Sequence, residues 1–199
     1  MTAPTPRQAH TLRTTAETRV EATLVLDGSG RAEVATGVPF LDHMLVLFAV
    51  HGLFDLTLKA AGDVEIDDHH TVEDVGIVLG QVLSQALGDR RGIRRYGQAT
   101  VPMDETLARV AVDLSNRPYL HLTASYPHAQ VGRFDTGLVR ELLRALCQHG
   151  GLTLHVEVPY GADGHHMIEA QFKALGRALD EASSLDPRRV GLPSSKGLL

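Results

Sequence analysis

The spacing of hydrophobic positions along this chain changes period several times. "RVEATLVL" (19–26) and "RVAVDL" (109–114) alternate apolar and polar residues and are rich in valine and leucine, as half-buried strands are. "RAEVAT" and "YLHLTASY" predict partner strands, the first reached through the turn "DGSG". The pattern then becomes helical over "PFLDHMLVLFAVHG" and "TGLVRELLRALCQHG". Each of these helices ends in His-Gly, which predicts glycine at C′ and His51 or His149 facing the negative end of the dipole. "DLTLKA" and "LTLHVEV" return to strand. Two longer amphipathic helices follow, one with Val72, Val75, Leu79, Val82, Leu83 and Ala86 inward, the other with Ile168, Phe172, Leu175, Leu179 and Ala182. Asp67 or Asp68 and Asp163 are their N-cap candidates.

This order occurs twice because the chain is a duplication. Leu-Thr-Leu stands at 56–58 and at 152–154, and each copy is followed by His-His, which begins 13 positions after the first leucine. The offset there is 96, whereas "HMLVLFAVHG" (43–52) matches "ELLRALCQHG" (141–150) at an offset of 98. On this register Glu141 falls where His43 stands. The repeats run roughly over 7–95 and 96–185, dividing one compact unit into halves 1–95 and 96–199, the second carrying a C-terminal tail. Each half reads β-β-α-β-α. The fold class expected is α+β, with mixed sheets and helices packed on one face.

Composition narrows the function. The 199 residues are 43% hydrophobic and carry a formal charge of -5, which disfavours nucleic-acid binding. No apolar run approaches the roughly 18–20 residues needed to span a membrane. The first residues lack an apolar signal core, so a cytoplasmic protein is expected. Cys147, the single cysteine, sits in "LLRALC" and reads as a buried, inert thiol. Eleven histidines is the anomaly.

Four of them form the pairs His69–His70 and His165–His166, each on the first turn of a helix. Neighbours on a helix point about 100° apart, so one pair cannot easily serve one metal but can serve two. Glu73 and Glu169 lie at i+4 from the first histidine of their pair and share its side. With His43 and Glu141, the donors divide into two sites of four. Imidazole and carboxylate without thiolate suit Mn, Fe, Co or Zn. Arg94 and Arg95 in "GIRRYG" and Arg117 in "DLSNRPY" are anion-binding candidates or solvated surface. Lys173 is placed for a helix ion pair with Glu169, Asp104 and Glu105 read as a solvated turn, and "LPSSKG" reads as a tail or a small anion loop.

"FLDHM", "DDHHTVEDVGI", "RYGQATVPMDETL", "DLSNRPYL", "GGLTLHV", "HHMIEAQFKALGRAL" and "LPSSKG" together resemble the imidazoleglycerol-phosphate dehydratase family, in order from about residue 7 to 199. The resemblance implies a metal-dependent lyase of histidine biosynthesis that turns imidazole glycerol phosphate into imidazole acetol phosphate. It implies two Mn(II) per active site, sites shared between subunits, and a homo-oligomer of 24 subunits built from trimers, with no nucleic-acid or membrane partner. The implied fold is a duplicated half like the second domain of ribosomal protein S5.

By position, His43, His69, His70, Glu73, His165, His166 and Glu169 match metal ligands. Many family members have histidine where this chain has Glu141, so Glu141 is expected to be a ligand of altered chemistry, or that site lacks one ligand. Glu17 matches an acidic residue near the substrate and is the candidate acid or base, with Glu73 and Glu169 as alternatives. Arg95, Arg117, Lys173, Ser194, Ser195 and Lys196 match the phosphate-binding side, and His155 matches a common histidine of open role. Rival readings are a dinuclear phosphate-ester hydrolase, a non-catalytic metal cage and, from the S5-like fold alone, an RNA-binding module, against which the acidic net charge and the lack of an aromatic-basic stripe argue.

Overall fold

The computed structural model describes residues 6–198. The first half folds as β1 (Gln8–Thr14), β2 (Thr18–Val25), β3 (Ala32–Ala35), α1 (Pro39–Gly52), β4 (Asp55–Gly62) and α2 (His69–Leu87). The second half runs β5 (Tyr96–Met103), β6 (Thr106–Asp113), β7 (Tyr119–Thr123), a small hairpin of β8 (Gln130–Val131) and β9 (Phe134–Asp135), α3 (Leu138–Gly150), β10 (Thr153–Tyr160) and α4 (Gly164–Ser183). The expected β-β-α-β-α order is present in both halves, each preceded by one more strand, β1 or β5. Their edge position explains why the hydrophobic pattern passed over them. β1 is largely polar, and β5 contains Gly97 and Pro102, features tolerated where one side of a strand has no partner.

The two sheets have equivalent orders, β1-β2-β4-β3 and β5-β6-β10-β7. In each, the fourth strand pairs parallel and the others antiparallel. Alternation sends Val20, Ala22 and Leu24 of β2, and Ala108, Val110 and Val112 of β6, into the interior. Helices α1 and α2 cover the first sheet, and α3 and α4 cover the second. The layers meet crosswise, with α1 against α4 and α2 against α3. Every helix–helix contact of this kind therefore joins the two halves.

Glycines set those crossings. A Cβ on Gly176 of α4 would come within 2.4 Å of the Phe48 carbonyl oxygen and 3.0 Å of the Gly52 nitrogen on α1. At the other crossing, a Cβ on Gly80 of α2 would lie 2.7 Å from the Gly150 nitrogen on α3. Gly52 and Gly150 lie inside their helices at these crossings and do not stand at C′ as the pattern suggested. The left-handed residues are the next ones, Leu53 (φ 55°) and Gly151 (φ 62°). His51 and His149 both stand in the last turn of their helices, as the dipole reading expects, and Arg90 supplies the hydrogen bonds that close α3. That buried guanidinium donates to the carbonyls of Gly150 at 2.8 Å and Gly151 at 3.0 Å, while His149 is exposed. Cys147 is buried as expected, and desolvation pushes its thiol up to about 12.

Candidate metal centres and active site

The crossing of α1 with α4 brings together residues that are more than a hundred positions apart. One ligand atom from each of His43, His165 and Glu169 lies within 4.8 Å of the others. Among the described residues this is the one cluster of three such donors. His165 Nε2 is 3.1 Å from Glu169 Oε2, and His43 Nε2 is 3.5 Å from the same oxygen. The other oxygen, Oε1, accepts from the Lys173 ammonium at 2.6 Å. Burial would push the Glu169 carboxyl up, but Lys173, with His165 and His43, outweighs it and holds the carboxyl below its usual range. The residue stays ionised, with one oxygen committed to lysine and one aimed at two imidazoles.

The crossing of α2 with α3 assembles a related but looser group. His69 Nε2 stands 3.9 Å from Glu73 Oε2. Glu141 comes from α3, as the repeat register places it, and it meets Glu73 through Arg144. The Arg144 guanidinium donates to Glu73 Oε1 at 2.8 Å and to Glu141 Oε2 at 2.7 Å and 3.0 Å. His69 also faces the same open cleft of about 1000 Å³ as His43 and His165. The β8–β9 hairpin walls this cleft with Arg133 and Phe134. Phe134 packs on Phe40 at 5.1 Å between ring centroids, and Phe40 meets the His165 ring edge-on at 5.2 Å. That hairpin has no counterpart in the first half, and the strand pattern of "YLHLTASY" gave no sign of it.

The second histidine of each pair is turned elsewhere. The rings of His69 and His70 lie 6.1 Å apart at 86°, and those of His165 and His166 lie 6.2 Å apart at 82°. His70 Nδ1 is 2.9 Å from Asp63 Oδ2, and His166 Nδ1 is 2.9 Å from Glu105 Oε2. A carboxylate only accepts, so each Nδ1 carries the hydrogen and each Nε2 keeps its lone pair. Holding an imidazole by one nitrogen to present the other is how metal-binding histidines are oriented. Both pKa values are raised, first by the hydrogen bond to the carboxylate.

Asp63 and Glu105 are functional candidates that the sequence did not reveal. Glu105 had read as solvated turn, yet it also accepts from the backbone N–H of Ala162 at 3.1 Å and Asp163 at 2.9 Å. With the His166 hydrogen bond first among the causes, its carboxyl is held far below the usual range. Asp163 in turn caps α4 through the N–H groups of His165 and His166. On α2 the first N–H, that of His69, is taken by Asp67 at 2.8 Å. Glu105→Gln removes the ionic partner, so the His166 midpoint should fall in an NMR pH titration of metal-free protein. A midpoint that stays put would show that Glu105 does not hold the ring.

Glu17 lies beside His70, its Oε2 3.8 Å from Nδ1, and its side chain is 56% exposed. The expected anion-binding residues divide into two groups. Arg95 is buried and forks onto Asp113 at 2.7 Å and 3.1 Å, while its third contact, at 2.8 Å, goes to the Pro193 carbonyl. That contact ties the tail, which continues into Ser194, Ser195 and Lys196, to the residue just before β5. Arg117 reaches the same Asp113 at 3.4 Å and is otherwise exposed. Lys173 is placed apart from them, on Glu169. His155 stacks with His121 at 5.3 Å on the strand face.

The family model for imidazoleglycerol-phosphate dehydratase matches residues 36–179. The imidazoleglycerol-phosphate dehydratase of Syntrophobacter fumaroxidans is 61% identical over 193 residues, covering 97% of this chain and 98% of the relative. That of Bacillus subtilis is 58% identical, covering 97% and 100%. Among solved structures, the Staphylococcus aureus enzyme superposes with a TM-score of 0.82 at 43% identity, covering 90% of this chain and 99% of that one. IGPD from Pyrococcus furiosus, solved in complex with (S)-C348, gives 0.83 at 34%, covering 95% and 100%. The duplicated halves, the histidine pairs and these matches over nearly the whole length lead to one assignment: the chain belongs to the imidazoleglycerol-phosphate dehydratase family.

Proposed function

We propose that this chain dehydrates imidazole glycerol phosphate to imidazole acetol phosphate in histidine biosynthesis, with two Mn(II) ions at each active site. The observation that carries this reading is the gathering of His43, His165 and Glu169 from both halves within 4.8 Å. The donor set fits such ions, being imidazole and ionised carboxylate with no thiolate. His43, His165 and Glu169 would hold one ion, and His69, Glu73 and Glu141 the other. His70 and His166 offer Nε2 lone pairs outward, which suits sites completed by neighbouring subunits. A cytoplasmic homo-oligomer of 24 subunits built from trimers is the assembly we propose for it. When bound, the ions supply Lewis acidity to the imidazole ring of the substrate, which eases departure of a group on the carbon attached to that ring.

The residues then divide the remaining work. The hydroxyl on the carbon bonded to the ring leaves as water, the next carbon loses its proton, and the enol so formed becomes the ketone. Glu17 is the best base for that proton. Glu169 is committed to Lys173 and Glu73 to Arg144, whereas the Glu17 carboxylate is exposed beside His70. Arg117, Ser194, Ser195 and Lys196 would bind the phosphate. Arg95 fixes them in place, since its own charge is spent on Asp113. Binding the phosphate far from the reacting carbons converts remote affinity into orientation.

The test is turnover of imidazole glycerol phosphate with chelator, then with Mn(II) restored. Chelator should abolish product formation, Mn(II) should restore it, and no inorganic phosphate should appear. Mn-loaded protein that leaves the substrate unchanged, or that releases phosphate, would overturn the reading.

A further inference from the structure

We infer that Arg144 makes the two candidate cation centres unequal, by holding the Glu73 and Glu141 carboxylates against the second ion until that ion displaces it. The inference rests on the metal-dependent reading above. Its basis is a difference between equivalent positions of the two halves. At the 98-residue offset Arg144 corresponds to Val46, and at the 96-residue offset Lys173 corresponds to Ile77. Each centre therefore has one cationic side chain, but on a different helix. Lys173 belongs to the same helix as Glu169 and takes only Oε1, leaving Oε2 open toward both imidazoles. Arg144 belongs to the facing helix and spans two carboxylates, taking Glu73 Oε1 and Glu141 Oε2.

The charges follow from that placement. With neutral imidazoles, the first centre has one carboxylate and one ammonium. The second has two carboxylates and one guanidinium. Arg144 therefore offsets the extra charge that Glu141 introduces where the first half has His43. A cation entering the second centre has to share or break charge-assisted hydrogen bonds to two carboxylates held by one guanidinium, whereas on the His43 side a single such bond engages one carboxylate, at Oε1. The Arg144 side chain is 55% exposed, so it has room to swing into solvent. The first centre should fill before the second.

Calorimetric titration of metal-free, fully assembled protein with Mn(II) tests this. The unsubstituted protein should show two classes of site. Arg144→Met should tighten the weaker class by about tenfold, the scale of losing one charged competitor, and leave the tighter class alone. The double substitution Glu141→His with Arg144→Val copies the first half and should bring the two classes together. Two classes that do not respond to Arg144→Met would overturn the inference while leaving the metal reading intact. If the unsubstituted protein binds no Mn(II), the metal reading fails and the inference fails with it.

Discussion

Glu169→Gln is expected to lower kcat by about a thousandfold, roughly 4 kcal/mol of transition-state stabilisation, and to remove one Mn(II) per subunit. Glutamine keeps the shape but loses the charge that joins three groups. Glu169 is buried, it accepts from Lys173 at 2.6 Å, and its second oxygen faces His165 at 3.1 Å and His43 at 3.5 Å. A neutral amide leaves the Lys173 ammonium without its partner beside the place where a cation must sit. Repulsion from that lysine then adds to the loss of the ligand. Elemental analysis and steady-state kinetics on the purified variant check both parts. Full Mn(II) content with unsubstituted kcat would remove Glu169 from the centre.

The second large effect concerns the frame. Gly176→Ala should cost about 3 kcal/mol and lower Tm by roughly 10 °C, because the added methyl meets backbone, which cannot rotate aside. Its Cβ would stand 2.4 Å from the Phe48 carbonyl oxygen. The helices must separate to admit it, and α1 carries His43 while α4 carries His165 and Glu169. The same variant should therefore weaken Mn(II) binding at that centre, although Gly176 touches none of the three donors. Gly191→Ala, where an added Cβ meets nothing within 4 Å, is the control and should change neither property. Equal melting temperatures for Gly176→Ala and the unsubstituted protein would mean that the crossing is not set by close approach.

Much of this was legible in the sequence because the chain states its main features twice. Alternation in "RVEATLVL" and helical spacing in "PFLDHMLVLFAVHG" are local signals, and both appear where expected. The repeat register put Glu141 opposite His43, and the structure does bring Glu141 from the facing helix to Glu73. What stayed hidden has no period. Asp63 and Glu105 do the same work for His70 and His166 from different loops, so the repeat could not point from one to the other. Arg90 closes the end of α3 from sixty positions away. Nothing in the local pattern around Arg144 marks it, because its two carboxylates come from different helices. Gly52 and Gly150 read as helix stops, whereas both lie within their helices where Gly176 and Gly80 of the facing helices approach.

The crosswise packing of α1 on α4 and α2 on α3 also bears on how such a chain can change. Two identical copies of one half, associated in this way, would build two identical centres, and any substitution would alter both together. Covalent fusion removes that constraint. Once the copies are separate stretches of one polypeptide, His43 can persist at one centre while its twin becomes Glu141. One centre can then take its positive charge from Lys173 and the other from Arg144. The linkage lets a symmetric ancestor specialise its two ends independently, without giving up the shared helical interior that both need.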